Sequence, residues 1–228
     1  MPARPPECVA CGSARTRLGG RFAVGGRLFT MARCDDPGCR LVFRFGEVEE
    51  RTGDGAGGRE PARLSEAARG EAAGALVGGL RACLAPPAEI SLPEDDEGAR
   101  AALESAGYTV SKVEGRGAVL LTRSLVDALR PGALLEERRE RLPPEGVLLL
   151  HVPRFEDVPA AAGRLRSRHL FRPSQVGYFS LYSLVSLLWR SGLLVEEWSL
   201  DEEERSMTIR AVSHASVPPL TGGWEGGC

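Results

Sequence analysis

Residues 147–152 read Val-Leu-Leu-Leu-His-Val and come directly after a Pro-Pro-Glu-Gly break at residues 143–146. The run is apolar without alternation, which is typical of a strand that is covered on both faces. Residues 118–122, Ala-Val-Leu-Leu-Thr, form a second run of the same kind. Because such strands occur where helices pack on the two sides of a sheet, the two runs predict an α/β layer fold.

Shorter strand-like and helix-like runs alternate on either side of these segments. The predicted helices are residues 61–84, 94–106, 134–142 and 180–190, and the further predicted strands are residues 88–92, 109–114, 193–200 and 207–212. Ser180 is a favoured residue type for a helix N-cap, and Gly192 for the turn that ends a helix. We therefore predict an α/β domain over residues 61–218, followed by a disordered tail at 219–228.

Four of the six cysteines lie within the first 39 residues. Two residues separate Cys8 from Cys11, and four separate Cys34 from Cys39. Tetrahedral zinc binds four thiolates, and two turns can each supply two of them, so this spacing predicts a zinc site. Because four thiolates leave no coordination position for water, the zinc is expected to be structural.

The segment between the two cysteine pairs has the pattern of a small sheet. Residues 21–24 and 27–30 are predicted strands joined by two glycines, and residues 40–45 form a third. We predict a zinc ribbon over residues 1–45, and a flexible linker rich in Gly and Glu over residues 46–60.

Two disulfides are the alternative arrangement of the four thiols. They would need an oxidising compartment, and the N-terminal sequence leads into no apolar signal segment. Cys83 and Cys228 have no partner at metal-ligand spacing and are expected to be a buried small side chain and a tail thiol.

Charge and hydropathy argue against a membrane or a nucleic acid as the partner. The longest uncharged apolar run, residues 180–189, is half the length of a bilayer span, so we expect a cytoplasmic protein. Residues 1–45 carry eight arginines against three acids, a balance of +5 within a net charge of −2. Zinc with four thiolates would reduce that balance, and the arginines alternate along strands instead of clustering with aromatic residues.

Several motifs taken in order carry a resemblance to a known family. They are Cys8-x2-Cys11-Gly12, residues 39–43 (Cys-Arg-Leu-Val-Phe), residues 144–153, residues 176–180 (Val-Gly-Tyr-Phe-Ser) and residues 191–195 (Ser-Gly-Leu-Leu-Val). Together they resemble the bacterial S-adenosylmethionine-dependent methyltransferases of the Rossmann-like class that carry an N-terminal zinc ribbon. The resemblance implies a Rossmann-like, methyltransferase-type sheet preceded by a small zinc ribbon. It is strong in the ribbon and over residues 130–200, and weak between them.

The weak stretch contains the segment where such an enzyme would hold S-adenosylmethionine, on a Gly-rich turn after the first strand. Residues 90–98 read Ile-Ser-Leu-Pro-Glu-Asp-Asp-Glu-Gly, which offer one glycine, a proline without an N–H group and four consecutive acids. The resemblance implies an acid at the end of the second strand that bonds the ribose hydroxyls, and Glu114 has that position. A solvated glutamate at a strand end is the alternative interpretation of Glu114.

The connection to the next strand predicts a shortened sheet. Only residues 115–117 separate the predicted strands 109–114 and 118–122, and three residues span about 10 Å, which is too short for a parallel crossover. Either the two strands form an antiparallel hairpin, or residues 109–114 are partly loop. Both alternatives remove one wall of the cofactor pocket, so S-adenosylmethionine binding is doubtful.

Two histidines are candidate general bases for a methyl acceptor, His151 and His169. The alternative interpretations are a structural histidine at a strand end and a loop histidine among the four arginines of residues 164–172. That loop could also contact an anionic substrate or an acidic surface such as residues 94–97.

Methyl transfer depends chiefly on holding donor and acceptor in line, so a chain without a donor site has little left to catalyse with. Our leading hypothesis is a methyltransferase-like zinc protein, a pseudoenzyme or accessory subunit, that binds a protein partner such as an active methyltransferase or a pathway enzyme. An active but divergent S-adenosylmethionine-dependent methyltransferase and a zinc-ribbon adaptor that binds nucleic acid are the alternatives.

Overall fold

The structure is a computed structural model that describes residues 6–24, 27–50, 66–94, 96–112, 117–155, 174–202 and 205–214. Within these ranges the strands form a four-stranded sheet and a six-stranded sheet. Two apolar clusters cover the two faces of the six-stranded sheet, and both contain helix residues. The α/β layer fold is therefore confirmed. Among the described residues, no helix combines the length and the apolar character that crossing a bilayer requires.

The smaller sheet begins with three antiparallel strands, β1 (Thr16–Val24), β2 (Arg27–Cys34) and β3 (Val42–Glu50). All three were predicted, but each is longer than its predicted range. Strand β1 extends back through two glycines, which have a low strand propensity and so concealed it. Strand β3 continues through residues 46–50 of the predicted linker, whereas residues 51–60 lie outside the described part of the chain.

A fourth strand joins the smaller sheet to the rest of the molecule. Strand β8 (Gly177–Tyr178) pairs antiparallel with β3, with Phe43 opposite Gly177. Cys8 and Phe43 also belong to the same buried cluster as Leu150 and Leu187 of the α/β half. The N-terminal sheet is therefore packed against the α/β half and shares its core.

The larger sheet has the strand order β5-β4-β6-β7-β10-β9. Its strands are β4 (Glu89–Ser91), β5 (Thr109–Ser111), β6 (Ala118–Leu121), β7 (Val147–Pro153), β9 (Leu193–Asp201) and β10 (Ser206–Ser213). The first four strands in this order are parallel, and β10 pairs antiparallel with β7 and β9. Leu148 and Leu150 of β7 face one apolar cluster and Leu149 faces the other, which explains the unbroken apolar run.

Helices cover both faces of the larger sheet. They are α1 (Glu66–Cys83), α2 (Glu97–Ser105), α3 (Ser124–Asp127), α4 (Pro131–Arg141) and α5 (Leu181–Arg190). Helices α1 and α2 pack on one face, and α3, α4, α5 and the smaller sheet pack on the other. The predicted cap of α5 is confirmed, because the Ser183 N–H donates to Ser180 Oγ at 3.2 Å. Gly192, with a φ of 75°, ends the same helix.

The question of the connection between residues 109–114 and 118–122 is resolved by the strand order. Strands β5 and β6 lie on opposite sides of β4 and are both parallel to it, so the hairpin alternative was wrong. Strand β5 ends at Ser111, which agrees with the alternative that the predicted strand is partly loop. Within the described residues β5 is the outermost strand on this side of the sheet.

Candidate functional site

Two turns carry the four predicted metal ligands, one before β1 and one between β2 and β3. In the first knuckle, residues 8–13, the Gly12 N–H donates to the Cys8 carbonyl at 2.8 Å, and the Cys8 N–H donates to the Ser13 carbonyl at 3.0 Å. Gly12 has a φ of 69°, a conformation that a residue with a Cβ adopts at a cost. This closed turn directs the Cys8 and Cys11 side chains toward the end of β2.

The second knuckle, residues 34–40, connects β2 to β3. The carboxylate of Asp36 accepts the Gly38 N–H at 2.9 Å, and its backbone carbonyl accepts the Cys39 N–H at 3.0 Å. The Cys34 N–H donates to the Leu41 carbonyl at 2.8 Å and closes the turn. Asp36 therefore shapes the loop that positions both cysteines of this knuckle.

The four predicted ligands converge on one point. All four Sγ atoms of Cys8, Cys11, Cys34 and Cys39 lie within 4.8 Å of one another. Cys8 and Cys39 are 3.7 Å apart, and Cys11 and Cys34 are 3.6 Å apart. A tetrahedral zinc site with Zn–S bonds of about 2.3 Å has sulfur–sulfur edges of about 3.8 Å, whereas a disulfide bond is about 2.05 Å long. The geometry fits a metal ion bound by four thiolates, and the four thiols are not bonded to each other.

The acidity of these thiols depends on their mutual contact. The hydrogen bond from Cys39 lowers the pKa of Cys8 to about 5, and the same contact raises the pKa of Cys39. Burial raises the pKa of Cys34 to about 12. Without a metal ion the cluster therefore retains protons, which a bound cation would displace.

A second candidate site lies outside the carboxyl ends of β4 and β6. The chain passes from β4 to β5 on one side of β4, and the next strand, β6, lies on the other side. The strand order therefore reverses at β4, and open α/β sheets commonly bind ligands at such a switch point. We call the space between these strand ends the switch-point crevice. The chain leaves β4 through Leu92, which is fully buried, and Pro93, which has no N–H group. Asp96 then caps α2 by accepting the Ala99 N–H at 3.0 Å.

Glu94 spans the crevice and binds the residues that follow β6. Its carboxylate accepts five hydrogen bonds, from the backbone N–H groups of Thr122 (2.7 Å), Arg123 (2.7 Å) and Ser124 (3.1 Å) and from the hydroxyls of Thr122 (2.6 Å) and Ser124 (2.7 Å). Burial raises the pKa of Glu94, but these hydrogen bonds outweigh it and the pKa is lowered. An ionised carboxylate of the chain itself therefore bridges the ends of β4 and β6.

These residues do not fit the close cradle that an adenosine cofactor requires. The N–H groups that edge the crevice already donate to Glu94, and Arg123 forms an ion pair with Asp96 at 3.5 Å. This role of Glu94 was not predicted from the sequence, in which the acidic run was interpreted as poor material for a Gly-rich turn and as a surface for the arginine-rich loop. The Thr-Arg-Ser sequence directly after a buried strand was the available signal for a carboxylate-binding turn.

Of the two candidate bases, the structure describes His151. It lies on β7, opposite Thr208 of β10, and its Nδ1 is 2.9 Å from the Thr208 hydroxyl oxygen. Gly79 of α1 packs directly on Thr208, where a Cβ would be 2.9 Å from the Thr208 Cβ. Burial lowers the pKa of His151 to about 4. His151 is therefore a neutral imidazole at the packed interface between the sheet and α1.

The remaining predicted site residues lie outside the described part of the chain. These are Glu114, His169 with the arginine-rich residues 164–172, and Cys228. Cys83 is described and is buried, as predicted.

Comparison with known proteins identifies the fold. The sequence matches no protein-family model and no curated protein. Among solved structures, mitomycin 7-O-methyltransferase MmcR superposes with a TM-score of 0.50 at 14% identity, covering 63% of this chain and 53% of MmcR. The O-methyltransferase NcsB1 from neocarzinostatin biosynthesis, solved with S-adenosyl-L-homocysteine, has a TM-score of 0.41 at 18% identity, with 68% and 59% covered. An O-methyltransferase family 2 protein from Planctomyces limnophilus, solved with apigenin, has a TM-score of 0.43 at 13% identity, with 67% and 62% covered.

At these identities the similarity shows a methyltransferase fold, as predicted, and does not extend to activity. This chain spans little more than half the length of MmcR.

Proposed function

We propose that this chain is a methyltransferase-like protein, stabilised by zinc, that has lost ordinary S-adenosylmethionine binding and acts by binding a protein partner. The partner would be an active methyltransferase or another enzyme of the same pathway, with this chain as pseudoenzyme or accessory subunit. The observation that carries the proposal is the Glu94 carboxylate, which occupies the switch-point crevice with five hydrogen bonds.

The energy of displacing Glu94 favours this proposal. Hydrogen bonds to a charged group contribute about 1.5–3 kcal/mol each, although such values do not add fully. A ligand that entered the crevice would have to replace several of these bonds and leave an ionised Glu94 without them. Pro93 offers no N–H group in compensation. Little of the binding energy of a methyl donor would then remain.

The short edge of the sheet supports the same conclusion. Strand β5 is three residues long and is the outermost strand on this side of the described sheet. The resembling family has a further helix and strand here that enclose the adenine. A chain without that wall would hold an adenosine group on one side only.

The cysteine cluster supports a structural role for zinc. Four thiolates complete a tetrahedral coordination, so no position is left for a substrate or a reactive water. Cys8, Cys34 and Cys39 are buried in the core that the smaller sheet shares with the α/β half. Bound zinc would therefore stabilise the surface that both halves form together, and not only the N-terminal sheet.

The test is calorimetry of the zinc-loaded full chain with S-adenosylmethionine and S-adenosylhomocysteine. We expect no saturable heat with wild type. Glu97→Ala removes an exposed acid at the start of α2 and leaves Glu94 in place, so as the matched control it should behave like wild type. A micromolar dissociation constant for wild type would refute the loss of cofactor binding. Stimulation of a co-purified methyltransferase by this chain would support the partner role.

The methyltransferase fold favours one alternative, an active but divergent S-adenosylmethionine-dependent methyltransferase. In that case Glu94 would have to leave the crevice when the donor binds. The two hypotheses differ in a direct assay, because only the alternative predicts transfer of a labelled methyl group by the isolated chain.

A further inference from the structure

Helix α5 of the α/β half ends against the second knuckle of the cysteine cluster. A nitrogen of the Arg190 guanidinium, Nη2, is 3.2 Å from Oδ1 of Asp36. About two helical turns earlier on α5, the Tyr182 hydroxyl donates to the Pro37 carbonyl at 2.6 Å. The guanidinium carbon of Arg40 is 5.3 Å from the centre of the Tyr182 ring. Three separate contacts therefore fix the position of the knuckle relative to α5.

The charge of the knuckle explains why an arginine is useful there. A zinc ion with four thiolates carries a net charge of −2, and Asp35 and Asp36 add two more negative charges beside it. Asp35 is paired within the N-terminal sheet, by Arg17 at 3.1 Å. Asp36 receives its ion pair from Arg190, which lies more than 150 residues away in the sequence.

Asp36 is needed for the shape of the second knuckle, because its side chain and its backbone carbonyl accept the hydrogen bonds of that turn. Its Oδ1 accepts the Gly38 N–H at 2.9 Å while it also contacts Arg190. Left without a counter-charge, that carboxylate would repel the adjacent thiolates. The positive charge of Arg190 offsets this repulsion while the turn keeps its shape.

The Arg190 guanidinium also lies directly on the knuckle backbone. A Cβ placed on Gly38 would be 2.8 Å from Arg190 Nη2, so a side chain at residue 38 would displace the guanidinium. Burial lowers the pKa of Arg190, but the Coulombic influence of Cys11, Asp36 and Cys39 outweighs it and the pKa is raised. The guanidinium therefore lies against the loop that carries Cys34 and Cys39.

We propose that Arg190 is a positioning residue for the metal centre: it holds the second knuckle through Asp36 and offsets the negative charge of the metal-bound thiolates. The inference rests on the proposed zinc site. It assigns to α5, an element of the methyltransferase fold, a role in metal binding.

The helix is suited to this role because it is held firmly at its other end and along one face. Its N-terminus has a reciprocal cap between Ser180 and Ser183, and Leu184, Leu187 and Leu188 are buried in the shared core. Arg190 thus projects from a fixed support, which lowers the entropic cost of holding the knuckle.

The test is the zinc affinity of the full chain, measured by competition with a chromogenic chelator at constant pH. Residues that support metal ligands typically change affinity 10–100-fold, and because the Arg190 side chain is 42% exposed we expect the lower end, about tenfold weaker binding for Arg190→Ala. The control is Arg141→Ala on α4, which also removes an exposed arginine from an ion pair, with Glu137 at 2.6 Å. Its affinity should equal that of wild type.

A second pair of variants separates charge from packing. Arg190→Lys retains the positive charge and Arg190→Gln does not, so the Arg190→Lys chain should bind zinc several-fold more tightly than the Arg190→Gln chain at low salt. The difference in zinc affinity between these two variants should become smaller as salt is added, because screening weakens a charge effect and leaves a packing effect unchanged. This comparison stays informative even where Arg190→Ala fails to fold.

The outcomes are distinct. Equal zinc affinity for wild type, Arg190→Ala and Arg190→Gln would overturn the role of Arg190 while the zinc site stands. Failure of wild type itself to bind zinc would overturn the zinc site and, with it, this inference.

Discussion

At the cysteine cluster, two turns bring four sulfur atoms around a space that matches a zinc ion, whereas at the switch-point crevice the chain fills the space with its own Glu94 carboxylate. Both sites consist of turns with backbone hydrogen bonds, and both lie at the ends of strands. The difference is that four like side chains converge in the first, and a complementary acid and its donors meet in the second. Only the first therefore needs a ligand from outside to complete it.

The largest expected effect comes from breaking the first site. Cys39→Ser should abolish stoichiometric zinc binding and destabilise the whole chain by more than about 3 kcal/mol, because Cys39 lies in the core that both halves share. Metal analysis and thermal melting of the full chain check this. The control is Cys83→Ala, a buried cysteine of the other apolar cluster, which should retain all its zinc. A zinc-free Cys39→Ser protein that melts like wild type would exclude a structural metal.

Breaking the second site should cost nearly as much. Glu94→Ala leaves the donors of Thr122, Arg123 and Ser124 without their acceptor, and we expect a loss of about 2–3 kcal/mol in the free energy of unfolding. Denaturant unfolding measures this, with Glu97→Ala expected to change stability by less than about 0.5 kcal/mol. Equal stability of the two variants would mean that the hydrogen bonds of Glu94 do not stabilise the ends of β4 and β6.

Lowering the pH should destabilise the α/β half through one largely buried histidine, His151. The pKa of His151 is about 4 in the folded chain, against about 6.5 when unfolded, so the unfolded state binds more protons between these values and stability falls as the pH is lowered. This residue alone should lower the free energy of unfolding by about 2 kcal/mol between pH 7 and pH 5. Denaturant unfolding of wild type and His151→Gln at both pH values tests the assignment. If the variant loses as much stability as wild type, the pH dependence comes from other groups.

The smallest expected effect concerns α5, the helix that contacts the second knuckle. Ser180→Ala removes the acceptor of the Ser183 N–H and should cost about 1 kcal/mol. Ser186→Ala, on the same helix without a capping role, is the control. Because α5 supports the second knuckle, Ser180→Ala should also weaken zinc binding slightly. Thermal melting and chelator competition measure the two effects, and a stability equal to that of the control would argue against the cap.

The elements that the sequence predicted well are those with a strong local pattern. Strand β7 was recognisable because both of its faces are buried, and α5 because its cap and its closing glycine are standard signals. The four metal ligands were recognisable because their spacing is a local property, and the structure brings their sulfur atoms together.

The elements that the sequence analysis missed depend on contacts between distant residues. Strand β8 has two residues and α3 has four, which is too short for any periodic pattern. Glu94 binds residues 28 to 30 positions away in the sequence, and Arg190 contacts Asp36, which is 154 positions away. No periodicity or spacing encodes these contacts, because they arise only when β4 and β6, or α5 and the second knuckle, are placed side by side.

The most direct test of the central claim is an experimental structure of the zinc-loaded chain crystallised with saturating S-adenosylhomocysteine. The account predicts that Glu94 remains hydrogen bonded to Thr122 and Ser124, with no ligand density beside residues 92–98. A nucleoside ordered in that crevice, with the Glu94 carboxylate turned away from β6, would contradict it.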